Sequence, residues 1–249
     1  MSGPVLIMAG GTGGHIFPGL AVAQALRARG VPVAWLGNPA GMEGQVVPPT
    51  GIPMEYVSIG GLRGKGLATK LLAPIRICST IVQCLGIIRR LRPRAVLGMG
   101  GYVTGPGGVA AWLSRRPLVI HEQNAVAGMT NKILSRFATD ILEAFPGSFP
   151  APSRARPIGN PVRREISELE EPATRMAGRS GRLRLLVFGG SQGALKLNET
   201  VPAALALMPT AARPEVLHQA GGATLDIARA AYTEAGVEAE ITPFIDDMA

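Results

Sequence analysis

Cysteine is nearly absent: Cys78 and Cys84 are the only two in 249 residues, six positions apart in a helical stretch. That spacing makes neither a CxxC pair nor a secreted disulfide framework, and it fits a reducing compartment. Aromatic residues are only 4% of the chain, and there is no stacking platform, zinc-ligand spacing or basic recognition helix. The chain is therefore not read as a nucleic-acid binder, and no nucleic acid is expected among its partners. Long apolar runs are missing too. Leu71 to Ile88 comes nearest to a membrane span, but Arg76 and Gln83 interrupt it,. The first residues have no basic region, and the apolar run behind them is too short for a secretory signal.

Charge is sparse at 17%, yet it is one-sided: the formal net charge is +8, carried almost entirely by arginine. Such a balance suits phosphorylated ligands or anionic lipid. What the chain has in quantity is glycine (33), proline (21) and hydrophobic residues (47%). This is the make-up of an α/β protein rich in glycine turns, and the length favours two domains.

The chain is organised around Ala9-Gly10-Gly11-Thr12-Gly13-Gly14-His15-Ile16-Phe17-Pro18-Gly19. A short apolar strand at 4–8 precedes it and a helical pattern from Leu20 to Arg29 follows. A glycine turn between strand and helix lets backbone N–H groups close on an anion, and the helix N-terminus adds partial positive charge. The dinucleotide fingerprint fits poorly, since its third glycine falls on Ile16. His15 is the distinctive residue, because a purely structural turn needs no titratable side chain.

Further strands are predicted at 32–36, 54–59, 94–98 and 117–120, with helices at 67–91, 107–114 and 127–136. Alternation at these lengths indicates a parallel sheet covered on both faces. Residues 145–157 hold four prolines and 165–182 are polar, so a domain boundary is placed between 160 and 161. A strand at 183–188 then runs into Gly189-Gly190-Ser191-Gln192-Gly193-Ala194, repeating the opening device. Strands at 215–219 and 239–243 flank a helix at 224–235. Three strands are half of a doubly wound domain, and the second domain is expected to lack its end.

Seven segments, GGTGGHIFPGLAVA, GLRGKG, GMGGYVTGPGGVAAW, HEQNAVAG, GNPVR, GGSQGA and FIDDMA, in this order and spacing, resemble one family along the whole chain. It is the family of UDP-N-acetylglucosamine transferases acting on undecaprenyl-pyrophosphoryl-MurNAc-pentapeptide in peptidoglycan synthesis (MurG). The resemblance implies a GT-B glycosyltransferase of two Rossmann-like domains. Residues 1–160 would be the acceptor and membrane-associated domain, and 161–249 the first part of the UDP-GlcNAc domain. It implies an inverting transfer without cofactor or active-site metal. Asp246-Asp247 is the only paired carboxylate resembling a metal site, and it lies within FIDDM, which is no metal-ligand motif. The leaving diphosphate would then be stabilised by backbone amides and arginine, for which Gly189 to Ser191 and Arg163 are suited.

By the same resemblance the donor contacts fall on Thr12, Gly13, Gly14, Asn124, Arg163, Ser191 and Ile245. Four of them have a plainer reading. Asn124 could be an N-cap, Arg163 a solvated arginine, Ser191 a capping hydroxyl and Ile245 a core residue. Inversion needs a base for the acceptor hydroxyl. His15 comes first and Glu122 second, with a phosphate-positioning donor and a structural carboxylate as their alternatives; His121 and His218 are read as structural. Gly100, Gly101, Tyr102 and Thr104 are candidates for the acceptor pyrophosphate. Leu71, Leu72, Ile75, Ile81 and Val82, rimmed by Arg63, Lys65, Lys70, Arg76, Arg89 and Arg90, are a candidate face for an anionic membrane.

The partners implied are UDP-GlcNAc, the lipid acceptor (lipid I), the cytoplasmic face of the inner membrane and other cell-wall synthesis proteins. The family's donor site continues beyond FIDDMA, so weak or absent transfer is expected of this piece. A UDP-sugar epimerase of the same fold, a nicotinamide oxidoreductase and a membrane-peripheral scaffold are the rivals. The oxidoreductase lacks an acidic residue after the second strand, which ends Trp35-Leu36-Gly37-Asn38.

Overall fold

The computed structural model describes residues 3–59, 73–190, 193–245 and 247. The chain divides into two compact units, Met1–Arg163 and Arg164–Ala249. The compositional boundary lies just before that division.

In the first unit the order is β1 (Val5–Ala9), α1 (Gly13–Ala28), β2 (Val33–Gly37), α2 (Glu43–Val46), β3 (Met54–Tyr56), α3 (Ala73–Leu91), β4 (Ala95–Gly100), α4 (Thr104–Leu113), β5 (Leu118–Glu122), α5 (Met129–Leu134), β6 (Asp140–Glu143) and β7 (Arg156–Pro157). The strands make one parallel sheet in the order β3-β2-β1-β4-β5-β6-β7. β1 and β2 are apolar at nearly every position because helices cover both faces. Leu6 and Met8 face one core with Leu36, Val96 and Ile120. Ile7 and Ala9 face the other with Ile16, Leu20 and Trp35. Trp35 is wholly buried, and its indole N–H donates to the Ala9 carbonyl at 3.1 Å.

The predicted strands at 4–8, 32–36, 94–98 and 117–120 correspond to β1, β2, β4 and β5 with shifts at their ends. α4 starts at Thr104, ahead of the predicted 107. β6 and β7 were not anticipated: Asp-Ile-Leu-Glu has only two apolar residues, and Arg156-Pro157 is a proline-bearing pair at the sheet edge,. The predicted helix at 67–91 is seen as α3, and 67–72 lie outside the described residues.

The second unit contains α6 (Arg164–Ser167), α7 (Pro172–Met176), β8 (Arg184–Phe188), α8 (Leu195–Ala206), β9 (Glu215–Gln219), α9 (Leu225–Glu234) and β10 (Glu240–Thr242). Its sheet is parallel, in the order β10-β9-β8. Val187, Leu205, Val216, Tyr232 and Val237 form its core. The outer edge of β8 has no strand partner among the described residues.

Candidate active site

In the first sheet the strand order reverses between β1 and β4, and the loops after such strands flank a crevice where ligands bind. Both loops here are glycine-rich. After β1, Gly11 takes a left-handed φ of +92°. Thr12 is the extended N-cap residue of α1, and its side chain makes no capping hydrogen bond. The amides of Gly13 and Gly14, in the first turn, have no intrahelical acceptor. After β4 come Gly100 (φ +105°) and Gly101 (φ +88°). A Cβ on Gly101 would lie 2.1 Å from the Gly10 carbonyl oxygen, and one on Gly100 would lie 2.8 Å from the His15 ring. Only glycine lets the two loops meet with the imidazole between them.

The hydroxyls of the second loop are engaged within the protein. Buried Thr104 Oγ1 lies 2.7 Å from the Gly100 carbonyl and 2.9 Å from that of Met8, joining the ends of β4 and β1. The Tyr102 hydroxyl donates to Glu43 Oε1 at 3.2 Å. Burial first, and then the Glu43 carboxylate, push the Tyr102 hydroxyl up to about 12.

Glu43 was not singled out in the sequence, and the structure places it under both loops. It is fully buried. Oε2 accepts the Gly11 N–H and Oε1 the Asn38 N–H, each at 3.1 Å. No ion pair among the described residues involves it. A Cβ on Gly10, Gly37 or Gly41 would lie 2.5–2.7 Å from its side chain. The Gly11 amide is thus held by a carboxylate, and the first loop is a weaker anion nest than its glycines suggest. The readable signal was a lone acid set among glycines, Gly41-Met42-Glu43-Gly44.

The loop after β5 carries His121-Glu122-Gln123-Asn124. Glu122 is 1% exposed. Its Oε1 accepts the backbone and side-chain N–H groups of Asn124 (3.1 and 2.8 Å), and its Oε2 accepts Gly128 N–H (3.0 Å) and Asn131 Nδ2 (2.9 Å). Burial alone would raise its pKa. The donors, Gly128 N–H foremost, outweigh burial and hold the carboxyl below the usual glutamate value,. Asn124 is exposed and spends its side-chain amide on Glu122. It does not cap α5, whose N-cap is Gly128.

His15, half-buried, places Nδ1 2.8 Å from Gln123 Oε1. Gln123 Nε2 lies 2.9 Å from His121 Nδ1 and 3.1 Å from the His121 carbonyl. His121 Nε2 lies 3.0 Å from the Gly159 carbonyl, and Asn160 Nδ2 donates to the Gln123 carbonyl at 3.1 Å. The Arg163 guanidinium carbon sits 5.1 Å from the ring centroid of Phe17, on α1 close to His15,. The segment 159–163 is thereby tied to the β5 loop and to α1.

Of the remaining sequence candidates, Ser191 lies outside the described residues, as do Leu71, Leu72, Arg63, Lys65, Lys70 and the GLRGKG loop. Ile245 is half-buried beyond β10. His218 is buried and meets the Tyr232 hydroxyl at 3.0 Å. On α3, Ile75 (68%) and Val82 (67%) are exposed. Ile81 turns against the core instead, and Arg90 pairs with Glu55 on β3. Among the described residues no helix is long and apolar enough to cross a membrane, and no cluster of three His, Cys, Asp or Glu could hold a metal.

Residues 5–143 match the glycosyltransferase family 28 N-terminal domain, and residues 184–249 match the C-terminal domain of the same family. The chain belongs to glycosyltransferase family 28.

Its similarity to curated family members runs the length of the chain. It is 59% identical over 249 residues to the UDP-N-acetylglucosamine–N-acetylmuramyl-(pentapeptide) pyrophosphoryl-undecaprenol N-acetylglucosamine transferase of Alkalilimnicola ehrlichii, covering 100% of this chain and 70% of that one. The enzyme of the same name from Marinobacter nauticus is 57% identical over 244 residues, covering 98% and 67%. The crystal structure of Acinetobacter baumannii MurG superposes with a TM-score of 0.69 at 38% identity, covering 99% of this chain and 68% of that one. A UDP-GlcNAc 2-epimerase from Neisseria meningitidis shares the fold alone, at 12% identity and TM-score 0.62 over 98% of this chain and 73% of that one. Parallel sheets in both units agree with the expected GT-B architecture of family 28.

Proposed function

We propose that the chain transfers N-acetylglucosamine, with inversion, from UDP-GlcNAc to the 4-hydroxyl of MurNAc in undecaprenyl-pyrophosphoryl-MurNAc-pentapeptide. The product is the lipid-linked disaccharide (lipid II) of peptidoglycan synthesis. The observation that carries the mechanism is His15 at the switch point, its Nδ1 bonded to Gln123 Oε1 at 2.8 Å. A ring bonded through Nδ1 keeps Nε2 for the substrate. The acceptor hydroxyl gives its proton to His15 Nε2 as its oxygen bonds to the sugar's anomeric carbon. The bond from that carbon to the diphosphate breaks, and UDP leaves with the electron pair.

Glu122 takes the positioning role in this reading. Four donors already occupy its oxygens, so it shapes the loop that carries Gln123 and Asn124. Thr12, whose hydroxyl makes no capping hydrogen bond, and the amides of Gly13 and Gly14 lie beside the reacting centre. Asn124, Arg163, Ser191 and Ile245 bind the donor, and Arg163 offsets the charge of the leaving diphosphate. Gly100, Gly101, Tyr102 and Thr104 serve the acceptor diphosphate through loop backbone, since the two hydroxyls are engaged elsewhere. The first domain meets the cytoplasmic face of the inner membrane peripherally, through the exposed side of α3 with Ile75, Val82, Arg76 and Arg89,. Other cell-wall synthesis proteins are its natural company there.

The test is acceptor-dependent UDP release from UDP-GlcNAc, measured on this chain and on one of its relatives' full length. In the full-length enzyme His15→Ala should cost roughly 10²–10⁴-fold in kcat. Unchanged turnover in that variant overturns the assignment of the base.

A further inference from the structure

We infer that Gln123, oriented by His121, sets the tautomer of His15. The inference rests on the reading of His15 as the base and concerns how that base is made ready.

The two ends of the Gln123 amide are chemically different, and their surroundings distinguish them. At one end lies the His121 carbonyl oxygen, 3.1 Å away. A carbonyl only accepts, so the NH₂ end must face it. The second hydrogen of that NH₂ points to His121 Nδ1 at 2.9 Å, which must then be the unprotonated nitrogen of its ring. His121 Nε2 carries the hydrogen and donates it to the Gly159 carbonyl at 3.0 Å. With the NH₂ end placed, Oε1 faces His15 Nδ1 at 2.8 Å. An amide oxygen only accepts, so Nδ1 holds the proton and Nε2 the lone pair.

Two backbone carbonyls thus anchor the chain and give its hydrogen bonds one direction. Reversing any link would set two donors or two acceptors against each other in a buried place, where such a mismatch is costly. His121 and Gln123 are 2% and 7% exposed. Burial also favours neutral His121, with the Gly159 carbonyl and Glu122 opposing. In water the neutral imidazole favours the opposite tautomer, with hydrogen on Nε2 and no lone pair for a substrate. The protein therefore has to impose the useful form. Gly100, against whose Cβ position the ring packs, leaves the ring room to take it. Gln123 is a positioning residue, and it acts through His15.

The direct test is imidazole ¹⁵N NMR of the chain labelled at its three histidines, recorded above about pH 8 so that ordinary histidines are neutral. The expected spectrum has His15 protonated on Nδ1 and His121 protonated on Nε2. In Gln123→Met, His15 should shift toward the Nε2–H form. In Gln123→Glu, which still accepts from His15 but cannot donate to His121, His15 should keep Nδ1–H while His121 loses its fixed form. In the full-length enzyme Gln123→Met should lower kcat roughly 5- to 100-fold with little change in donor KM. That is less than the whole acid–base contribution of about 10²–10⁴, because some rings retain the useful tautomer. Gln123→Glu should recover part of the loss.

His15 found as Nε2–H in the parent overturns the inference, whether or not any variant folds. So does a His15 signature unmoved by Gln123→Met. If the parent spectrum is as expected while His15→Ala keeps its turnover, the lock stands and the assignment of the base falls.

Discussion

Glu122→Gln separates a structural carboxylate from a catalytic base with an almost isosteric change. The glutamate accepts two hydrogen bonds on each oxygen, all between 2.8 and 3.1 Å. A glutamine can keep the pair on one oxygen. Its NH₂ group must then face the other pair, donor against donor. At most one donor of either pair is buried, the others being part-buried, so leaving two without acceptors takes the low end of about 1–3 kcal/mol each, about 2 kcal/mol in total. For a domain of this size each kcal/mol moves the midpoint by about 2–4 °C, so thermal unfolding at pH 7 should fall by roughly 4–8 °C.

The pH dependence has a definite sign. The folded carboxyl sits below its ordinary value of 4.5. Its contribution is therefore complete above that value and is lost as pH falls through the lower folded value. The gap between parent and variant should hold from neutral pH down to about 5 and close below it. An unchanged midpoint with turnover reduced about 10²-fold or more would falsify this account and make Glu122 the base.

Three further outcomes follow from the geometry. Gly101→Ala combines a positive φ with a Cβ 2.1 Å from the Gly10 carbonyl oxygen; it should destabilise by about 2 kcal/mol or more, read by calorimetry, and should displace His15 from Gln123. Of the three tyrosines, Tyr102, half-buried beside Glu43, and Tyr232, buried, should resist ionisation until about 12 because of desolvation and, for Tyr102, the Glu43 carboxylate; an ultraviolet titration should lose one late-titrating group in Tyr102→Phe. Thiol titration of the native chain should find Cys78, which is exposed, and miss Cys84, which is buried with its thiol pushed up to about 12; denaturant should reveal the second.

Much of the first sheet was legible because parallel strands covered on both faces read as unbroken apolar runs, as in Val5 to Ala9 and Val33 to Leu36. β6 escaped because acidic residues bracket its two apolar ones, and β7 because an Arg-Pro dipeptide at an edge has no pattern at all. The glycine loops and His15 stood out as a turn with one residue too many. What remained hidden depends on contacts across the fold. Glu43 looks like any surface glutamate until Gly11, Asn38 and Tyr102 close over it. Gln123 was visible inside HEQN, yet nothing local says that its amide bridges two histidines. Side-chain direction was equally out of reach: Thr104 and Tyr102 stood in an anion-binding pattern, and their hydroxyls turn inward.

The meeting of Gly10 with Gly101 bears on how such enzymes can be recombined. No side chain separates Gly10 from Gly101, and the Glu43 side chain holds the first loop through the Gly11 amide and the second through Tyr102. Neither loop has slack with which to absorb a foreign partner. A chimera that exchanges segments between relatives should carry residues 10–15, 41–44 and 100–104 from one parent. A single crossover within α1 or α3 would split that inheritance, whereas one placed beyond residue 104 leaves it intact. The three short segments, distant in the chain, behave as one heritable block.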